Sequence, residues 1–323
     1  MKKSNEKLFL LLLTLFLATT ASCSLAKKTN TSCSNSKSRT LLWEIKSNSQ
    51  TLYILGSIHI GSSDMYPLDP IIMNAFKDSD VLGVELDIKK VEIENVLPLI
   101  FDLSGNTKNI LPTELYNKLN NKFVELGLPS GAIDKLKPSG IILLLEILKT
   151  SNLVKEFAEN KSNSEQSKLK STKSAMLLGI DHYFMEQAES LGKPIYEMET
   201  LERQIQVFNS LEDNFVEYLT SSLESGFEYE VKDIEKIITA WKNGDLSEIE
   251  NLLKADFSKN EKINKQIKNE LIYNRNIEMT KKIEDFLTSD KKYFIVVGAG
   301  HLVGEGSIID LLQKTGRYSI RRL

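Results

Sequence analysis

Three histidines occur in the 323-residue chain, and two of them stand in the same local setting. His59 closes Gly56-Ser57-Ile58-His59 after the apolar run Thr51 to Ile58, and His301 closes Gly298-Ala299-Gly300-His301 after Tyr293 to Val297. Glycine at such a transition allows close backbone approach, and each imidazole would then project beyond a strand end. Imidazole is the commonest metal ligand and the natural proton carrier near neutral pH. Taken singly, a histidine at a strand end is more often a hydrogen-bonded structural group. Two at matched positions bring the functional reading level with that one. Glu85 adds a carboxylate within the apolar run Val81 to Leu86, where a charge is costly unless paired, hydrogen-bonded or bound to a metal. Alternation along a strand also leaves it a solvated edge position, on the face opposite Val84 and Leu86. Two imidazoles and one carboxylate form a known ligand set for a catalytic divalent metal with an open water position.

Other polar residues fall at element boundaries. Asp181 and His182 open a helix after Gly179; Asp181 is either its N-cap or a site residue, and His182 reads as a surface helix residue. Glu199 follows the run Ile195 to Met198 and suits a site role or the N-cap of the next helix. Arg275-Asn276 interrupts a helical stretch. An arginine there can hold a substrate carboxylate or an oxyanion, or make a surface salt bridge.

The elements that must position these groups read as a mixed α/β, or α+β, fold. Leu41 to Ile45 and Thr51 to Ile58 are short apolar runs around a polar turn, a hairpin signal. Val81 to Leu86 follows a helix predicted over Pro67 to Lys77, and Tyr293 to Val297 is a β-branched and aromatic run suited to a buried strand. The spacing predicts a last helix over Ile308 to Lys314 and an edge strand over Tyr318 to Arg322. Between about residues 88 and 290 helical spacing dominates: Leu115 to Leu126, Ile141 to Leu148, Asp181 to Leu191, Leu201 to Leu211, Phe215 to Leu223, Asp233 to Trp241 and Asn269 to Leu287. One strand, Pro194 to Met198, interrupts them. Asn160 to Ser174 is a Ser/Lys/Asn tract that reads as a disordered loop. The layout predicts a central sheet built from N- and C-terminal segments with a long helical insertion. Residues from distant parts of the chain would then share the crevice where open α/β sheets bind ligands.

The N-terminal residues bear on the compartment. Lys2, Lys3 and Lys7 precede the apolar run Leu8 to Ala18, a secretory signal pattern too short for a membrane span of about 20 residues. Thr20-Ala21-Ser22-Cys23 resembles a bacterial lipoprotein signal, in which Cys23 becomes the lipidated N-terminus. An ordinary cut near Ala21 or Ala26 is the alternative. The expected organisation is a signal peptide over 1–22, a tether over 23–40 and a folded region over 41–323. The two cysteines, Cys23 and Cys33, both precede the folded region, so cysteine-based metal or redox chemistry is not expected. The chain carries a formal net charge of −3 without a basic stripe, which makes nucleic acid a poor partner.

Taken together, Trp43-Glu44-Ile45, Leu55-Gly56-Ser57-Ile58-His59, Val84-Glu85-Leu86-Asp87, Gly179-Ile180-Asp181, Lys193 to Thr200 with Gln204, Arg275-Asn276 and Val297 to Gly304 resemble the TraB/GumN family of PrgY-like and Tiki-like proteins. The resemblance implies a mixed α/β fold related to erythromycin-esterase-like and ChaN-like proteins. It also implies a metal-dependent hydrolase, a peptidase using manganese or cobalt in preference to zinc. His59, His301 and Glu85 would be the metal or catalytic residues, with Asp181, Glu199, Arg275 and Asn276 around them. The expected setting is the cell envelope, with the protein exported, anchored to a membrane through lipidated Cys23 and facing the periplasm or cell surface. The expected substrate is a peptide or small molecule. The rival expectation is a non-catalytic envelope lipoprotein that sequesters such a ligand with the same residues.

Overall fold

Apolar runs from the two ends of the folded region meet in one sheet. The computed structural model describes residues 40–323 apart from 103–104, 106, 126–127, 146–178, 225–230 and 254–259. The expected signal peptide, nearly all of the tether with both cysteines, and the Asn160 to Ser174 tract lie outside the described residues.

Strands β1 (Leu42–Lys46) and β2 (Thr51–Ser57) form the expected hairpin, with Leu42 opposite Leu55 and Lys46 opposite Thr51. Its turn is fixed by Ser47, whose hydroxyl accepts from Gln50 N at 3.0 Å and donates to Leu287 O at 2.9 Å. Strands β3 (Val81–Val84), β4 (Ile195–Glu197), β5 (Tyr293–Gly298) and β6 (Ser319–Arg322) complete a six-stranded sheet of order β4-β3-β5-β2-β1-β6. The β4-β3-β5-β2 half is parallel; β1 runs antiparallel to both β2 and β6. The central strand β5 is apolar from Phe294 to Val297, and all four residues are fully buried. That is the signature of a parallel strand covered on both faces.

Helices cover this half of the sheet. Pro70–Lys77 starts later than its spacing predicts, because Asp69 caps it by accepting from Ile71 N at 2.9 Å and Pro70 takes the first helical position. Its Phe76 meets Phe184 of the helix Ile180–Ser190 and Phe294 of β5, with ring centroids 5.0 and 5.4 Å apart. Such pairs add about 0.5–1.5 kcal/mol each beyond the area they bury. Between β3 and β5 the described chain is helical apart from β4. Four α-helices among the described residues there were not expected: Ile93–Ile100, which tolerates Pro98 within it, the single turn Thr107–Ile110, Leu246–Leu253 and Glu261–Lys268. The expected helix Asn269 to Leu287 is present, but begins with a π-helical turn, Asn269–Tyr273, before Asn274–Phe286. No helix among the described residues is long and apolar enough to cross a membrane.

The helical segment is fastened to the sheet close to His59. Trp241, in the helix Val231–Asn243, donates its indole N–H to Gly56 O at 2.7 Å, and both groups are buried. Trp241→Phe keeps the ring packing and removes the donor, leaving a buried carbonyl unpaired. Stability should fall by about 1–3 kcal/mol, read as a lower urea midpoint at unchanged m-value; an unmoved midpoint would show that this bond does not hold the segment down.

Candidate active site

The four parallel strands deliver one polar side chain each just past their C-terminal ends. His59 lies two residues after β2, Glu85 directly after β3, Glu199 two residues after β4 and His301 three residues after β5. Glu85 is not at an edge: β3 has β4 on one side and β5 on the other, and Glu85 is 7% exposed. The solvated alternative is excluded by that position.

Arg275 brings these ends together. It is the largest fully buried side chain among the described residues. Its Nε lies 2.7 and 3.0 Å from the two carboxylate oxygens of Glu199, and its Nη2 donates to Glu199 Oε2 at 2.6 Å and Glu85 Oε2 at 2.7 Å. Nη1 donates to Leu271 O at 3.0 Å, a carbonyl of the π-helical turn. Gln204 donates to Glu199 Oε2 at 3.2 Å. Burial acts to lower the Arg275 pKa, but Glu199 and Glu85 overcome it and push the value up, so the charge is fixed. The expectation that Arg275 grips a substrate carboxylate or oxyanion needs correction. Its described hydrogen bonds all run to protein groups, and a fully buried guanidinium is not offered to a ligand.

Glu85 is held from two sides. Oε2 takes the Arg275 bond, and Oε1 accepts from Gly298 N at 2.6 Å while lying 3.8 Å from His301 Nε2. Burial alone would raise its pKa; His301 and Arg275 outweigh it and bring the value below the usual carboxylate range. His301 Nδ1 is 2.6 Å from Asn276 Oδ1, and Asn276 Nδ2 donates to Gly306 O at 2.8 Å. Burial pushes His301 down to about 4, so the ring is neutral at physiological pH.

His59 stands in a second group. Its Nδ1 is 2.7 Å from Asp181 Oδ2, and Ser57 donates to Asp181 Oδ1 at 2.6 Å. Burial works to depress the His59 pKa, but Asp181 beside it more than offsets this and raises it. The same pairing, against burial, lowers Asp181. Glu85 and Arg275 also act on the His59 charge, which ties the two groups together electrostatically. His59 Nε2 is buried without a hydrogen-bond partner.

Two capping expectations are corrected. Gly179, not Asp181, is the N-cap of Ile180–Ser190. A side chain at Gly179 would put its Cβ 2.3 Å from His59 O, so glycine lets the helix start against the histidine. Thr200, not Glu199, caps the next helix by accepting from Arg203 N at 3.1 Å. His182 is partly buried rather than on the surface, its Nδ1 3.7 Å from Glu186 on its own helix. Ser57 was not singled out by sequence, although it shares an alternation phase with His59 two residues on.

The donor types suit a divalent metal: two imidazoles whose Nδ1 atoms are engaged, one partnerless buried Nε2, and a carboxylate nearby. The spacing is looser than a ligand cage. Among the described residues no group of three or more His, Cys, Asp or Glu is placed to hold a metal ion, and Glu85 is drawn onto Arg275 and Gly298.

A sequence model of the TraB/PrgY/gumN family matches residues 41–322. Metalloprotease TIKI1 of Xenopus tropicalis is 25% identical over 345 residues, covering 92% of this chain and 63% of the relative. Metalloprotease TIKI1 of Danio rerio is 27% identical over 337 residues, covering 90% and 64%. The uncharacterized protein YbaP of Escherichia coli K12 is 24% identical over 262 residues, covering 81% and 87%. The chain thus spans less than two thirds of the length of the metalloproteases it matches. No solved structure matches it.

Removing one partner of a buried ion pair strands the others. Arg275→Met should therefore destabilise the fold by about 3–5 kcal/mol in urea unfolding, and a loss below about 1 kcal/mol would place the carboxylates in water. The histidines also predict a pH response in chelator-treated protein. His301 has a folded pKa of about 4 against 6.5 for an ordinary imidazole, so the unfolded chain binds the extra proton and stability is lost as pH falls through that window. His59, raised, acts oppositely: its contribution is present below the ordinary value and lost as pH rises through the folded one. Wild type should lose more stability than His301→Gln on acidification through this window, and parallel curves would show His301 to be ordinary.

Proposed function

From the premise that this chain belongs to the TraB/PrgY/gumN family, we propose that it is a metal-dependent hydrolase of peptide bonds, with His59, His301 and Glu85 at the reaction centre. The observation that carries this reading is the partnerless, buried Nε2 of His59 beside a cluster with too much negative charge. Glu85, Asp181 and Glu199 stand against one guanidinium, Arg275. With both imidazoles in the neutral form that binds a metal, two negative charges are left over, which is the charge of one divalent cation. The relatives named metalloproteases support the same direction.

His59 and His301 would hold the ion through their Nε2 atoms, with Glu85 either a third ligand or the base that takes a proton from the attacking water. A divalent ion, when bound, lowers the pKa of a water and polarises a scissile carbonyl. Arg275 would keep Glu85 ionised and aimed, Glu199 would hold Arg275, and Asp181 and Asn276 would orient the two rings. Manganese or cobalt is proposed ahead of zinc, as the family resemblance implies. Export through the leader-like segment, with Cys23 as lipid anchor, would put this chemistry in the cell envelope against peptides arriving there.

The test is metal content and affinity for manganese, cobalt and zinc in wild type, His59→Ala and His301→Ala, followed by a peptide-library cleavage screen. Wild type should bind one ion and cleave. Each substitution should lower both affinity and cleavage by more than about 100-fold, beyond what loss of an outer support costs. Absence of metal binding by wild type, or binding indifferent to both substitutions, would sink the reading in favour of a non-catalytic binder.

A further inference from the structure

We infer that Asn276 and the Ser57–Asp181 pair are positioning residues that hold His301 and His59 with the proton on Nδ1, leaving both Nε2 lone pairs bare. The inference rests on the hydrolase reading only for what those lone pairs are used for.

For His301 the decision falls to an atom with no choice. Gly306 O is a carbonyl and only accepts, so the Asn276 amide must turn its NH₂ group toward it, at 2.8 Å. The atom 2.6 Å from His301 Nδ1 is then the amide oxygen, which also only accepts. The proton sits on Nδ1, and the neutral ring has a bare lone pair at Nε2. That lone pair lies 3.8 Å from Glu85 Oε1. Left to Glu85, the ring would carry its proton on Nε2, where it faces a carboxylate. Asn276 imposes the other tautomer, in which two electron-rich atoms face each other across a gap that a cation relieves.

The carbonyl that sets this choice is itself fixed. Gly306 has φ +72°, and a Cβ there would lie 2.6 Å from the Tyr273 ring. Its N–H donates to Asp310 Oδ2 at 2.8 Å. Tyr273 closes the π-helical turn that precedes Arg275, so that turn and the Gly306 turn brace each other.

His59 reaches the same tautomer by a different partner. Asp181 Oδ2 stands 2.7 Å from Nδ1, and Ser57 occupies the other carboxylate oxygen at 2.6 Å, so Asp181 cannot swing away without losing that bond. A carboxylate only accepts, so in the neutral ring the proton belongs on Nδ1, the nitrogen 2.7 Å from Asp181, and Nε2 is left as a buried, partnerless atom. The two rings are thus oriented alike but unequally: a carboxylate makes an imidazole a stronger donor than an amide does.

The experiment is a long-range proton–nitrogen NMR spectrum of the ¹⁵N-labelled full chain, stripped of metal, recorded as a pH series into the mildly alkaline range so that both rings are read in their neutral form. Its three imidazoles are assigned by the signals lost in His59→Gln, His182→Gln and His301→Gln. His301 should show a protonated Nδ1 and an unprotonated Nε2, and the reverse pattern overturns the proposal. Asn276→Leu should move the proton to Nε2, and Asn276→Asp, which still accepts from Nδ1, should restore it. Ser57→Ala should blur the His59 pattern into a mixture. A tautomer indifferent to Asn276→Leu also overturns the assignment; if that variant does not fold, the wild-type and Asn276→Asp spectra decide. Cobalt affinity should fall about 10–100-fold in Asn276→Leu and largely recover in Asn276→Asp. Tautomers as stated without any metal binding would defeat the hydrolase reading and leave this inference standing, whereas tight binding with reversed tautomers would do the opposite.

Discussion

A guanidinium cannot shed its charge, so a fully buried arginine obliges the rest of the chain to meet it. Arg275 is met by Glu85 at the end of β3, Glu199 at the end of β4 and the Leu271 carbonyl of its own helix. The farthest of those groups in sequence, Glu85, lies 190 residues from Arg275. The cost of taking charges out of water is recovered only when geometry is close and the remaining hydrogen-bonding groups are satisfied. The doubled contact with Glu199, the Gln204 bond and the Gly298 N–H on Glu85 supply that closeness. The interaction stabilises the core and also fixes where Glu85, 3.8 Å from His301 Nε2, points.

The sheet explains why the polar groups share one end. Four strands run parallel in the order β4-β3-β5-β2, so their C-terminal ends lie side by side although they are not consecutive in the chain. Parallel strands need crossover connections, and the helices that make them also seal both faces of β5. A dry environment follows for Arg275, His301 and Asn276, which are buried. Electrostatic interactions there act with less screening than at the surface. This accounts for the opposite displacement of the two histidines: an anion beside His59 prevails over burial, while burial prevails at His301, which faces both Glu85 and Arg275.

Much of this could be read from the residues alone. The paired Gly-x-x-His segments, the carboxylate in an apolar run and the strand signals at both ends are local patterns, and each placed its residue beside the right strand. What stayed hidden depends on partners distant in sequence. Ser57 looks like an ordinary strand residue until Asp181 arrives from 124 residues away. Arg275 as an isolated helix residue suggested an outward-facing grip, because nothing local says that two carboxylates will bury it. For Asp181 and Glu199 the sequence leaves a cap and a site role both open, because each stands at a helix start; Gly179 and Thr200 are the caps here. The helix Ile93–Ile100 carries Pro98 near its end, and that proline masked the helical spacing.

The π-helical turn at Asn269–Tyr273 gives the site an unusual dependence on chain length. Asn274 N bonds to the carbonyl of Asn269, five residues back, so the segment holds one more residue than an α-helix would. Each residue of a helix rotates the next by about 100°. That surplus residue therefore acts as a phase shifter: it turns Arg275 and Asn276 together toward the strand ends without altering the path of the helix that follows. The residue count of the turn is therefore as constrained as the residues in it, and a lineage that dropped one position would aim both side chains elsewhere while keeping every site residue in its sequence.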